Sequence, residues 1–167
     1  VVGAAAGTFG LDSNGSGNKV YGGTTSPGIS PLAITVGATN TFGTDVRSDD
    51  TVAPYSSRGP TLSHITDPVT GQVTYDNLAK PDLVAPGTRI VAAERSGNLL
   101  VSYYPALHVD TGNVSNRSRY MSMSGSWMAT AVVSGAVALM LQDNPGLTPS
   151  QVKAILMYSA QMMDGPD

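Results

Sequence analysis

The chain has 167 residues, of which 41% are hydrophobic and only 13% are charged, and its net charge is −3. This balance is typical of a compact domain with extensive buried sheet, and it excludes a disordered chain or a protein that binds nucleic acid. No apolar run reaches the roughly 20 residues of a membrane span, and the absence of cysteine excludes disulfides and thiolate metal sites.

Two strands are predicted near the start of the chain. Val1–Ala6 is a run of small apolar residues that ends at Gly7. A run that is apolar on consecutive positions predicts a strand buried on both faces, as in parallel sheets. The polar, glycine-rich segment Leu11–Gly28 predicts a loop. Pro31–Asn40 follows as a second strand with β-branched residues at its centre.

The middle of the chain alternates short strand-like pieces with two polar insertions. The first insertion is Thr61–Asn77, and "KPDLVAPG" follows it at Lys80–Gly87. The second insertion, Arg95–Arg119, is rich in Ser, Asn and Tyr. A connection of that length is usually either functional or mobile. We therefore expect the second insertion to be mobile or to contact a second copy of the chain.

Two helices are predicted in the last third of the chain. The first begins at Ser126 or the next residue and runs to the helix-breaking "NPG" at Asn144–Gly146. It is apolar almost all round, which predicts a buried helix. In the second, Thr148 is the N-cap, Pro149 occupies the first helical position, and Gln151 completes a capping box.

Six segments occur in an order that resembles a known family. They are "VVGAAAG", "SPGISPLAITVGAT", "YSSRGP", "KPDLVAPG", "MSGSWMAT" and "PGLTPSQVKAILMYSA". Together they resemble the second half of the catalytic domain of subtilases, the subtilisin-like serine proteases. The resemblance implies an α/β fold with three layers and a mainly parallel, doubly wound sheet. It implies that residues 1–167 form a partial subtilisin-like catalytic domain, without the first half that carries the catalytic Asp and His.

The nucleophile motif of the family departs from its usual residues in this chain. The family motif is Gly-Thr-Ser-Met-Ala-Thr/Ser-Pro-His, and here the corresponding segment is "GSWMATAV". Trp127 therefore stands at the serine position and Ser126 at the threonine position. A shift that made Ser126 the nucleophile would break the matches on either side. Because a base cannot activate an indole carbon as it activates a hydroxyl, the substitution predicts impaired or absent protease activity.

Other positions of the family's active site are also changed. The family's oxyanion-binding Asn corresponds to Thr8 in "AAAGTFG", where the hydroxyl is a donor on a shorter side chain. His64 and His108 lie in the insertions and match no catalytic motif, so we expect them to be exposed loop residues. Asp82 resembles a structural residue of the family rather than the catalytic Asp.

The resemblance also indicates which residues would contact a substrate. The residues that match the walls of the main specificity pocket are Ala4, Ala5, Ala6, Gly7 and Gly28, with Gly125 at the turn before the nucleophile position. Small side chains at these positions suit close packing of a sheet equally well. For Trp127, the ring either plugs the substrate cleft or fills space left by the missing first half, and a stacking role is a further alternative.

The sequence is compatible with several functions. The first hypothesis is a subtilase scaffold that is not a competent protease. The alternatives are a weak esterase that uses Ser126 or Ser124 with a histidine from an insertion, and a non-catalytic binding or structural module. A further possibility is that a partner chain supplies the first half.

The partners expected from the resemblance are a peptide or protein substrate and a second copy of the chain. Self-association is expected because the Val1–Ala6 edge and the apolar helix would both lack their usual cover. Calcium is possible by family analogy only, because the chain has no spaced carboxylate loop of the calcium-binding type. We expect no nucleic-acid or membrane partner, and the resemblance implies an extracellular location.

Overall fold

The computed structural model describes residues 1–112 and 119–163. The strands, in chain order, are β1 (Gly3–Ala5), β2 (Ile34–Asn40), β3 (Thr51–Val52), β4 (His64–Thr66), β5 (Val73–Tyr75), β6 (Leu83–Pro86), β7 (Ile90–Ala93), β8 (His108–Val109) and β9 (Tyr120–Met123). The helices are α1 (Leu99–Tyr103), α2 (Ser126–Asp143) and α3 (Pro149–Ser159), with a 3-10 turn at Pro105–Leu107.

The central sheet is built around β2. Strands β1 and β6 pair with it in parallel, one on each side, and β3 pairs antiparallel with its final residues. Parallel neighbours need long crossover connections, which the loops and insertions of this chain supply. The prediction of an α/β fold with a mainly parallel sheet is therefore confirmed.

The hydrophobic core lies between this sheet and the two long helices. Alternate residues of β2 face the helices, and they pack with one side of α2 and with Val152 of α3. The core residues in these elements are Ile34, Val36, Ala38, Ala129, Val133, Val137 and Val152. The opposite face of β2 is polar, and loop residues cover it: the Thr35 hydroxyl donates to the carbonyl of Gly28 at 2.6 Å. In the described residues, the second helical layer of the expected three-layer fold is not formed.

The prediction of a buried helix holds for only one side of α2, and the other side lacks cover, as expected if the first half of the domain is absent. Its buried residues are Ser126, Ala129, Val133 and Val137, which face the sheet. On the other side Val132 and Leu139 are 42% and 67% exposed. The reason is that no described element packs against that side of the helix. Among the described strands, β1 pairs with β2 alone, so its other backbone edge carries no strand there.

The two insertions contain regular structure of their own. The first holds the antiparallel hairpin β4–β5. The described part of the second contains α1, the 3-10 turn and β8, which joins the smaller sheet in the order β7–β9–β8. Residues 113–118 of this insertion lie outside the described residues, so the expectation of mobility stays a prediction.

A buried ion cluster ties β2, β6 and α3 together. Asp82 Oδ2 accepts hydrogen bonds from the backbone N–H of Thr35 at 2.7 Å and from Lys80 Nζ at 2.8 Å, and Lys153 Nζ lies 3.1 Å away. Burial alone would raise the pKa of Asp82, but these three donors outweigh it and hold the pKa below its usual value. The cluster supports the structural role that the resemblance implied for Asp82.

The capping box predicted for α3 is present. The Thr148 hydroxyl accepts from the backbone N–H of Gln151, and the Gln151 side chain accepts from the backbone N–H of Thr148 at 2.8 Å. Only contacts within one helical turn are involved, which is why the sequence motif was sufficient to predict it.

Candidate active site

The strand-to-helix turn at Ser124–Gly125 positions the candidate site. Strand β9 leads through this turn into α2. The backbone N–H of Gly125 donates to the carbonyl of Gly87 at 2.8 Å, and the N–H of Arg89 donates to Ser124 Oγ at 2.9 Å. The turn is therefore held against the segment that follows β6.

Gly87 allows this close approach. A Cβ atom at Gly87 would lie 2.7 Å from the Cβ of Ala38 and 2.8 Å from the carbonyl oxygen of Gly125. The Cβ of Ala38 is held by β2 and the carbonyl of Gly125 by the turn, so neither atom can move without disturbing the packing. The start of α2 thus depends on a glycine at this position.

We expect Gly87→Ala to lower the free energy of unfolding by about 1–3 kcal/mol, the usual effect of overpacking. Gly135→Ala is the matched control, because a Cβ at Gly135 meets nothing within 4 Å. On the exposed side of α2 that change should stabilise the helix by about 0.5–1 kcal/mol. Urea unfolding of both variants tests the pair, and a loss of stability at Gly135 or none at Gly87 would contradict the packing described.

Ser126, the first residue of α2, is buried in the interior. Its side chain is fully buried, and its Oγ both accepts from the N–H of Gly7 and donates to the carbonyl of Gly7, each at 3.1 Å. A hydroxyl in this position has no access to a substrate and no base beside it. The geometry therefore does not support Ser126 as an alternative nucleophile, and assigns it to joining α2 to the end of β1.

Trp127 lines a pocket beside β1. The indole is 57% exposed, and its Cε3 lies 2.9 Å from the position that a Cβ of Gly125 would take. The pocket has a volume of about 290 Å³, and its lining includes Ala4, Ala5, Gly7, Phe9, Pro27 and Trp127. The ring lies beside a cleft of small residues and is not part of the core of this chain.

The remaining predicted substrate-binding residues divide into two groups. Ala4, Ala5 and Gly7 line the pocket with Trp127, whereas Ala6 is fully buried. Gly28 packs behind the strand, where a Cβ would lie 2.7 Å from the carbonyl oxygen of Ala5. Thr8 is half-buried and does not line the pocket, although its neighbours Gly7 and Phe9 do.

The weaker nucleophile candidate has no partner suited to catalysis. Ser124 is exposed, and its Oγ accepts from the N–H of Arg89. Among the hydrogen bonds of the described residues, none joins Ser124 or Ser126 to a histidine. His64 is exposed on β4, where its ring lies 5.6 Å from that of Tyr75. An esterase site of the kind considered from the sequence is thus not assembled.

His108 differs from the predicted loop histidine. It is the first residue of β8, and its Nδ1 lies 2.5 Å from Oε2 of the buried Glu94, whose Oε1 pairs with Arg119. The hydrogen bond from His108 lowers the pKa of Glu94 below its usual value, burial opposes this shift, and Arg119 adds to it. Sequence reasoning did not identify Glu94, because a single acidic residue after a short strand carries no signal for its distant partners.

Neither a metal centre nor a membrane span is found in the described part of the chain. No group of three or more His, Cys, Asp or Glu side chains there lies close enough together to hold a metal ion. No described helix has the length and apolar character required to cross a bilayer.

A parallel α/β sheet with a strand–turn–helix unit beside a pocket is typical of hydrolases that present a nucleophile at such a turn. The family model described as "Subtilase family" matches residues 3–167. The serine protease AprX of Bacillus subtilis (strain 168) is 40% identical over 133 residues, which are 78% of this chain and 25% of that protein. The subtilisin-like protease SBT1.9 of Arabidopsis thaliana is 32% identical over 117 residues, 69% of this chain and 13% of its own length.

Solved structures agree with this result. A cold-adapted subtilisin-like serine proteinase matches 93% of this chain and 37% of its own chain, with 28% identity and a TM-score of 0.54. Sphericase shows the same fold with a TM-score of 0.57 at 24% identity, over 93% of this chain and 38% of its own. The chain belongs to the subtilase family. It spans about a quarter of the length of AprX, at 25%.

Proposed function

We propose that this chain is a subtilase-family module that has lost the usual protease mechanism. The observation that carries the proposal is Trp127, which lines the pocket and stands in the sequence motif where the family has its nucleophile. The nearest hydroxyl in sequence, that of Ser126, is buried against Gly7 and does not replace it. Thr8 at the oxyanion position points to the same loss, since its hydroxyl is on a shorter side chain than the family's Asn amide.

The module retains a means of binding peptide without cleaving it. The pocket beside β1 is walled by small apolar residues and by the rings of Phe9 and Trp127. Such a lining suits one apolar side chain of an extended peptide, and the exposed indole offers it a flat apolar surface. The proposed ligand is therefore a peptide with an aliphatic or proline side chain at the position that enters the pocket.

Binding of short apolar peptides should change the fluorescence of Trp127, the only tryptophan in the chain. We expect Ala5→Leu to weaken binding, because the added atoms fill the pocket that Ala5 lines. Ala131→Leu is the matched control, since Ala131 is exposed on α2 and does not line that pocket. Mass spectrometry should recover the peptide intact. A cleaved peptide, or equal affinity for both variants, would contradict the proposal.

The uncovered surfaces of the chain favour self-association as part of the same proposal. Among the described strands, β1 pairs on one edge only, and α2 exposes Val132 and Leu139 on another part of the surface. Free edges pair readily with other chains, and a two-fold dimer would cover both features at once. The alternative occupant is a complementary first half of a subtilase domain, on this protein or on a partner. An extracellular location is proposed from family membership.

Sedimentation at micromolar concentration should show a dimer of this chain. We expect its interface to be large and apolar, as in obligate homodimers. Leu139→Glu should shift the population towards monomer, because it places a charge on the exposed side of α2. Ile65→Glu is the control, since Ile65 is 78% exposed on β4, away from α2. A folded monomer for the unmodified chain would contradict self-association, and binding of a separately expressed first half would then favour the alternative occupant.

A further inference from the structure

One asparagine of the chain is followed directly by glycine, and the pair lies in an exposed loop. Asn14, Gly15 and Ser16 are all exposed. The loop is closed at its base by the N–H of Asp12, which donates to the carbonyl of Asn18 at 3.0 Å. An asparagine before glycine forms a cyclic imide more readily than before any other residue, because glycine has no Cβ to hinder closure of the ring.

The backbone nitrogen of Gly15, which would attack the asparagine side chain, is unhindered. Gly15 has a φ of +78°, and a Cβ built there would meet nothing within 4 Å. Its N–H donates no hydrogen bond to any residue that the structure describes. Base from the solvent can therefore remove the proton from this nitrogen without breaking a contact of the fold.

The side-chain amide of Asn14 has its carbonyl oxygen held in place and its nitrogen free. Oδ1 accepts a hydrogen bond from the N–H of Ser16 at 2.9 Å. Attack at Cγ places negative charge on Oδ1, and a donor that already lies at this oxygen stabilises such a charge. Among the described residues none forms a hydrogen bond with Nδ2, so no contact retains the leaving group.

Asn18, in the same loop, lacks these features. It is also exposed, but its Nδ2 donates to Ser16 Oγ at 2.6 Å. The residue that follows it is Lys19, whose side chain hinders ring closure. The two asparagines of this loop therefore have equal access to solvent and different reactivity.

We propose that Asn14 is a site of spontaneous modification, at which the amide is converted to aspartate and isoaspartate. The nitrogen of Gly15 forms a bond to Asn14 Cγ, the Cγ–Nδ2 bond breaks, and Nδ2 leaves as ammonia with the proton from the Gly15 N–H. Water then opens the cyclic imide. Cleavage between the nitrogen and Cγ gives aspartate, and cleavage between the nitrogen and the backbone carbonyl carbon of Asn14 gives isoaspartate. No atom is oxidised or reduced.

The modification changes the surface of the chain and leaves its core intact. It adds one negative charge to a chain of net charge −3. The new carboxylate lies two residues along the loop from Asp12, and like charges at this spacing repel each other. No residue of the loop belongs to the hydrophobic core. We therefore expect the modified chain to remain folded, with altered charge and altered loop conformation.

Peptide mapping of the purified chain after incubation in mildly alkaline buffer tests the proposal. We expect Asn14 to acquire progressively the mass difference between an amide and an acid, while Asn18 stays unmodified. Electron-transfer fragmentation should resolve both aspartate and isoaspartate at this position. Isoelectric focusing of the whole chain should show a more acidic species in parallel. Digestion in mildly acidic buffer prevents the imide from forming during preparation.

The variant Asn14→Gln should abolish the acidic species, because attack on the longer side chain requires a larger ring that closes far more slowly. Asn18→Gln is the matched control and should leave the acidic species unchanged. An Asn14 that stays intact through the incubation would overturn the proposal. Modification of Asn18 at the same rate, or an acidic species that persists in Asn14→Gln, would overturn it as well.

Discussion

Neither casein nor a peptide anilide will be hydrolysed above background by this chain. In subtilisin, loss of the nucleophile lowers turnover by about 10⁶ and loss of the oxyanion asparagine by about 10² to 10³, values established for that enzyme rather than derived from this structure. Here both positions are substituted, by Trp127 and Thr8. Ser126, the adjacent hydroxyl, is fully buried and bonded to Gly7. Assay of the purified chain with both substrates checks this expectation.

The variant Trp127→Ser tests whether a hydroxyl at the nucleophile position is sufficient for activity when the catalytic base is missing. We expect it to remain inactive, since neither histidine of the chain matches the family's catalytic motif and no described hydrogen bond joins a histidine to the turn. Ser126→Ala serves as the control for residual activity. Turnover that survives repurification and disappears in Ser126→Ala would overturn the account and support the esterase hypothesis.

Asp82→Asn will destabilise the chain by about 3–5 kcal/mol, the usual effect of breaking a buried ion pair. The asparagine keeps the size of the side chain but leaves Lys80, whose side chain is 2% exposed, without a countercharge. It also weakens the contacts that join β2, β6 and α3. Urea unfolding measures the loss. Asp45→Asn is the matched control, because Asp45 is exposed and should change stability little.

The ionisation of Asp82 makes the free energy of unfolding depend on pH. The pKa of Asp82 is lower in the folded chain, so its stabilisation is fully present above the pKa of an unfolded aspartate, about 3.9. It is lost as the pH falls through the folded-state pKa. Asp82→Asn should therefore show a weaker loss of stability below about pH 4 than the unmodified chain. Equal acid sensitivity of the two would show that other groups control acid unfolding.

The parts of the fold that the sequence predicted depend on local patterns. The capping box of α3 involves Thr148 and Gln151 within one turn, and the start of α2 follows directly from the glycine turn. The β-branched residues of Pro31–Asn40 predicted a strand, although β2 begins at Ile34, later than Pro31. Short-range spacing carries the information in each of these cases.

The features that the sequence did not reveal depend on contacts between distant residues. Ser126 appeared to be an alternative nucleophile until its two bonds to Gly7, far away in the chain, placed it in the interior. His108 was expected to be a plain loop residue because its partner Glu94 lies in another strand region. An exposed side of α2 was expected from the absent first half, but the apolar sequence did not specify which residues, such as Val132 and Leu139, would form it.

Labelling with a fluorophosphonate, which modifies only an activated serine, tests the central claim most directly. The claim is that the indole of Trp127 has replaced the nucleophile and that Ser126 and Ser124 are not activated. Intact-mass spectrometry of the treated chain should show the unmodified mass, with active subtilisin labelled in parallel as the positive control. A stoichiometric mass increase that maps to Ser124 or Ser126 would contradict the account.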